Sequence, residues 1–256
     1  MAGLRPGLML LALYFILGLT AGSFISALSY RYPKGISVAK GRSFCPKCKA
    51  QISWHDNIPL LSYLLLGGKC RNCKMPISWR YPGIELATAL GFVLIGMTFQ
   101  GTTLQGAYSI FIFLILELIF IIDLEHQIIP DSFIFLGLFL SLVFSLVTNH
   151  QSPITSLFSG FLVASFLMLI HLFTRGRGMG LGDVKFAVLG GMMVGLNLSL
   201  IWLFLAFLTG GLTGIILILG RRAGLKDKIA FGPFLVVSIP ITLIWGEKII
   251  GILLSH

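Results

Sequence analysis

The chain has 256 residues, 56% hydrophobic and 11% charged, with a mean hydropathy of +0.95. Soluble domains carry about 25% charged residues, so a single soluble core is excluded and an all-α polytopic membrane protein is indicated. The net charge of +10 lies in loops beside apolar runs and comes with no nucleic-acid motif, which argues against nucleic-acid binding.

Apolar runs of about 17–25 residues read as membrane spans, and the chain offers about eight such helices. The first covers 8–30. Arg5 precedes Leu8–Leu19, and Thr20-Ala21-Gly22 resembles a weak cleavage site. The apolar character continues to Tyr30, so a retained span is expected rather than a signal peptide.

A polar segment, 31–81, follows. It holds all four cysteines, as Cys45-Pro46-Lys47-Cys48 and Cys70-Arg71-Asn72-Cys73, with 21 residues between the pairs. Paired C-x-x-C turns at roughly this spacing build a tetrahedral thiolate site, and four sulfurs close the shell, so structural Zn2+ is expected at Cys45, Cys48, Cys70 and Cys73. A zinc-ribbon-like loop of this size buries little core, and a metal would supply the missing stability. Disulfides or a redox C-x-x-C pair are the alternatives. A cytoplasmic location disfavours stable disulfides.

The remaining spans are expected at 82–99, 105–123, 132–148, 154–173, 183–197, 199–219 and 232–254. The run at 183–197 is the shortest, and a re-entrant helix fits it as well as a full crossing. Seventeen of the 19 basic residues fall in three loops, 31–81, 174–186 and 220–231, while 100–104 and 149–153 hold none. The positive-inside rule puts those three loops in the cytoplasm and both termini outside. Three parts follow: span one at 1–30, the cysteine loop at 31–81, and a transmembrane domain at 82–256.

Two acids stand at the edges of apolar runs on the cytoplasmic side. Asp123 closes Ile121-Ile122-Asp123, and Asp183 follows Gly180-Leu181-Gly182. An ionisable group at such a boundary is costly unless it is paired or used. Two nearby carboxyl groups cannot both ionise cheaply, so a pair holds one shared proton. Peptide hydrolysis needs that state: one carboxylate takes a proton from water and a neutral partner donates to the scissile carbonyl. Asp123 and Asp183 are therefore the candidate catalytic pair of an intramembrane aspartyl protease. The plain alternatives are an interfacial charge for Asp123 and a helix cap for Asp183. Gly180 and Gly182 give room for close backbone approach. Pro130-Asp131-Ser132 reads as a helix start with Asp131 or Ser132 capping, the alternative for Asp131 being substrate or structural support of the site. Glu85 is an interfacial residue or part of a second site. A coupled transporter is the main rival, but its acids tend to the midplane and its halves repeat. No convincing repeat of that kind is visible here.

Taken together, several segments resemble the type IV prepilin leader peptidases, which also process type II secretion pseudopilins. They are Gly22-Ser23-Phe24, Tyr30-Arg31-Tyr32-Pro33, Ser43-Phe44-Cys45-Pro46-Lys47-Cys48, Asp56-Asn57-Ile58-Pro59-Leu60-Leu61-Ser62-Tyr63, Gly68-Lys69-Cys70-Arg71-Asn72-Cys73, Ile77-Ser78-Trp79-Arg80-Tyr81-Pro82, Glu85 and the two aspartate segments. Ser26 departs from the family's usual asparagine. The resemblance implies an enzyme of the bacterial inner membrane that removes a basic leader from prepilins on the cytoplasmic side, cutting after a glycine. It also implies N-methylation of the new terminus from S-adenosylmethionine. The family's catalytic aspartates fall on Asp123 and Asp183, and its metal-binding cysteines on Cys45, Cys48, Cys70 and Cys73. Expected partners are prepilins, pseudopilins and membrane lipids.

Overall fold

The computed structural model describes residues 7–37, 42–98, 103–148, 152–222, 224 and 229–254. Arg5, Lys40, Lys226 and Lys228, and most of the uncharged loops at 100–104 and 149–153, lie outside the described residues. Nine α-helices form among them: α1 Leu8–Arg31, α2 Leu61–Leu65, α3 Arg80–Thr98, α4 Thr103–His126, α5 Asp131–Thr148, α6 Pro153–Phe173, α7 Leu181–Val194, α8 Leu196–Leu219 and α9 Gly232–Leu254.

Seven of these helices are long and apolar enough to cross a membrane. They correspond to seven of the eight expected spans. The eighth, α7, forms where 183–197 was read, but its 14 residues reach only about 21 Å at 1.5 Å per residue. A bilayer core is about 30 Å thick. Large apolar side chains such as Phe139, Phe158, Leu200 and Phe204 are exposed on the spans, as lipid-facing positions require. The chain is a multi-pass membrane protein.

It divides into two compact units, Met1–Leu114 and Ile115–His256. This boundary differs from the one expected at 81/82, because α3 packs along α1. Gly18 and Gly22, four apart on one face of α1, make that contact. A Cβ on Gly18 would lie 2.5 Å from the Ala89 Cα, and one on Gly22 2.8 Å from the Glu85 Cα. Small residues at this spacing let two backbones approach within a membrane, where packing rather than water exclusion holds helices together. Arg80, the first residue of α3, fastens the end nearest the cysteine loop by bonding the Ser26 carbonyl (3.2 Å) and the Ser29 hydroxyl (2.7 Å).

In the second unit α7 is the central helix. It packs against α5, α6, α8 and α9, and nine of its residues are buried. The crossing with α6 is tight at Gly160 and Gly191, where a Cβ on Gly191 would lie 2.9 Å from the Gly160 Cα. The Ser159 hydroxyl donates to the Gly191 carbonyl there (2.9 Å). Gly190 leaves space for the fully buried Trp202 ring, whose Nε1 donates to the Leu235 carbonyl on α9 (2.9 Å). Gly195, at φ +80°, alone separates α7 from α8.

Candidate active site and metal centre

The four cysteines converge. Their sulfurs all lie within 4.8 Å of one another, and Cys45 Sγ is 4.0 Å from Cys73 Sγ. A tetrahedral shell with Zn–S near 2.3 Å has sulfurs ~3.8 Å apart, so the thiols fit a zinc ion with little movement.

Local backbone geometry explains the convergence. Cys45–Trp54 and Cys70–Trp79 are two copies of C-x-x-C-K-x-x-I-S-W. Each copy folds the same way. The first cysteine's N–H reaches the carbonyl five residues on, Ala50 or Met75, at 2.9 Å. The lysine after the second cysteine, Lys49 or Lys74, takes φ near +60°. Each is closed by a single bridge, Phe44 to Gln51 and Lys69 to Pro76. The turn presents the two sulfurs of each pair on one side, and the two turns face each other. Asp56 holds the second turn in place by accepting two 2.7 Å bonds from Arg71. That guanidinium keeps the Asp56 carboxyl below its usual range, and burial opposes it only in part.

The Cys70 thiol is pulled down to about 7, chiefly by the backbone amide of Cys73 and then that of Asn72. Cys73 rises to about 11: the Met75 amide lowers it, but burial and the three neighbouring thiols prevail. The Cys70 proton therefore leaves more readily than that of Cys73. A divalent cation removes the obstacle at Cys73.

Asp123 and Asp183 come together in the second unit. Asp123 lies in the last turn of α4, which runs on to His126 and stops where Gln127 takes φ +55°. Asp183 is the third residue of α7, at its N-terminal end. Both side chains are buried, 4% and 9% exposed, and they are close enough to interact electrostatically. Asp183 is not itself the capping residue. From the first turn its carboxylate accepts the Gly180 N–H (3.2 Å).

Glycines line the surroundings. A Cβ on Gly182 would sit 3.2 Å from the Ile129 Cβ, and one on Gly180 would sit 3.0 Å from the Asp183 carboxylate. The close approach expected of these glycines is therefore used by Ile129 and by Asp183 itself.

Gly232, the first residue of α9, was not singled out in the sequence. Its backbone amide points at the Asp123 carboxyl group, and a Cβ there would lie 2.5 Å from Asp123 Oδ2 and 3.0 Å from Ile129 Cδ1. Asp123 Oδ2 is buried and, among the described residues, has no partner within hydrogen-bond geometry. The only local clue was Gly232-Pro233 opening an apolar run, a common way for a helix to start.

The two supporting acids have defined contacts. Asp131 is the first residue of α5, and its carboxylate pairs with Lys185 of α7 (2.7 and 2.9 Å). Glu85 is buried in α3 and accepts the Leu60 N–H (2.8 Å), so it anchors the cysteine loop.

Fold and site together define a multi-pass helical membrane protein with a tetrathiol centre and a pair of buried carboxyl groups from two helices. Sequence comparison agrees. The bacterial peptidase A24 N-terminal domain matches residues 16–99, and the type IV leader peptidase family matches residues 110–215. A prepilin leader peptidase/N-methyltransferase of Pseudomonas aeruginosa is 33% identical, over 91% of this chain and 90% of its own. Proteins with the same name from Aeromonas hydrophila and Bacillus subtilis are 34% and 30% identical, over 93% and 94% of this chain and 91% and 97% of theirs. The chain belongs to the type IV leader peptidase family. No solved structure matches it significantly.

Proposed function

We propose that this protein is a prepilin peptidase and N-methyltransferase, and that Asp123 and Asp183 form its proteolytic centre. The observation that carries this reading is the burial of two carboxyl groups within electrostatic reach of each other, one in the last turn of α4 and one in the first turn of α7, in a chain of this family. One carboxylate takes a proton from water as the oxygen attacks the scissile carbonyl carbon. The neutral partner protonates the carbonyl oxygen. Collapse of the tetrahedral species breaks the C–N bond, and a carboxyl proton passes to the leaving amine. The Gly180 N–H steadies the Asp183 carboxylate, and the Gly232 amide faces the carboxyl group of Asp123.

The substrates are prepilins or pseudopilins, whose apolar helix lies in the bilayer beside α4, α7 and α9. Their basic leader stays in the cytoplasm with the three basic loops, and both termini of this chain are outside the bacterial inner membrane. S-adenosylmethionine supplies the methyl group for the freed amine. Cys45, Cys48, Cys70 and Cys73 hold a structural zinc ion.

Cleavage of a prepilin by purified Asp123→Asn and Asp183→Asn variants tests the assignment. Each should lose on the order of 10³-fold or more of the rate, with zinc content and helicity unchanged. Cleavage at the parent rate by either variant refutes its role.

A further inference from the structure

The short helix α2 has no part in the reading above, and its position is unusual. Leu61, Leu64 and Leu65 occupy i, i+3 and i+4, so they share one face. They are 49%, 73% and 77% exposed. The other side of the helix is fastened to protein: Ser62 is buried and its hydroxyl donates to the His55 carbonyl (2.8 Å). In water such a leucine face would be a liability.

Depth distinguishes the surroundings. The 19 residues of α3 reach about 28 Å, barely the ~30 Å of a bilayer core. For α3 to span, the hydrocarbon must begin near its first residue, Arg80. Glu85 lies five residues further on, about 7.5 Å along the axis. Its carboxylate holds the Leu60 N–H at 2.8 Å, so the start of α2 is pinned at or below the rim of the hydrocarbon. Trp79, the residue before α3, is 77% exposed and packs on Tyr63 of α2 with ring centroids 5.3 Å apart. An exposed tryptophan at the mouth of a span is typical of the membrane interface. Leu64, Tyr63 and Trp79 also line an open groove of about 430 Å³.

Charge complements this placement. Residues 31–81 carry ten Lys and Arg and a single acid, Asp56, which is already engaged by Arg71. Such a loop is drawn to anionic phosphate headgroups.

We propose that α2 is an interfacial helix, with Leu61, Leu64 and Leu65 inserted among the acyl chains of the leaflet that α1 and α3 enter from the loop side. The cysteine loop then rests on the bilayer as a third point of attachment between its two spans. The apolar face is buried by lipid, as in monotopic amphipathic segments.

The test uses the full-length protein in vesicles of phosphatidylethanolamine and phosphatidylglycerol doped with a phospholipid bearing a diazirine in its acyl chain. After illumination, adducts are mapped by mass spectrometry. Residues 61–65 should be labelled about as strongly as the first turns of α3, and several-fold more than 42–52 of the same loop. Leu64→Gln with Leu65→Gln should lose most of that labelling while zinc content stays at the parent level. Should the double variant fail to fold, mapping on the parent protein decides alone. Labelling of 61–65 no higher than that of 42–52 overturns the proposal. So does chain-to-chain crosslinking there in place of lipid adducts, which would point to a second copy. Labelling that a prepilin-like peptide abolishes would assign the face to substrate and also overturn it. None of these outcomes depends on the roles of Asp123 and Asp183.

Discussion

The cysteine loop and the aspartate pair both gather chemically demanding groups at one point, by opposite means. The loop does it locally. Two copies of one ten-residue pattern fold into the same turn and present their thiols in pairs. Little more is needed than a metal to join them. The aspartates stand 60 positions apart in the chain, on α4 and on α7, and α7 is held in place by its packing against α5, α6, α8 and α9. Stability of the first site should follow metal and thiols. The second should follow helix packing and be indifferent to metal.

The largest test of that contrast is removal of the zinc. Chelation, or Cys45→Ser with Cys73→Ser, should unfold residues 42–79, because in small metal domains ~10–16 kcal/mol of binding free energy is folding free energy. Limited proteolysis should open the loop while circular dichroism retains the helices. Loss of most helicity would contradict the separation.

Trp202→Ala makes the converse change. It removes a fully buried ring and its bond to Leu235, which should cost about 3–5 kcal/mol. Thermal unfolding in detergent should show the drop, with zinc content unaltered.

Gly232→Ala sharpens the comparison within the second unit. The added methyl group meets Asp123 Oδ2 at 2.5 Å, and displacing a reacting group by about 1 Å can cost 10²-fold in rate. Cleavage should fall by about that factor with little change in melting temperature. Gly251→Ala, where a Cβ meets nothing within 4 Å, should be silent.

Lys185→Met removes an ion pair whose side chains are each 51% exposed, so about 0–1 kcal/mol is expected.

The smallest effect should come from Asp56→Asn. Folding lowers the Asp56 carboxyl below its unfolded value through Arg71. The ion pair therefore stabilises the loop above about pH 4 and ceases to do so as pH falls through the folded value. The variant's loop should be digested faster at pH 7, and the difference should shrink in acid.

Much of this was legible in the sequence. Apolar runs of spanning length, the cysteine pairs and the two acids at apolar edges all read directly. A buried charge or a thiol quartet is too costly to arise without a reason. Asp131 and Glu85 were legible only as residues that needed a partner. Their contacts to Lys185 and to the Leu60 amide join distant segments, and no local pattern records them. Gly232 was missed for the same reason. A glycine before a proline looks like an ordinary helix start, and its importance comes from Asp123, which lies more than a hundred residues earlier.

The sequence by itself determined that the chain is helical and membrane-embedded, and that its cysteines form one cluster. Hydropathy and turn-forming motifs act over a few residues and leave their mark in composition and spacing. The tertiary structure alone decided that α7 is a short helix at the centre of its unit, that α3 belongs with α1, and that Gly232 touches Asp123. Those outcomes depend on which backbones can approach most closely. That is fixed by small residues such as Gly18, Gly160 and Gly191 meeting the right neighbour, and no single stretch of chain specifies such a meeting.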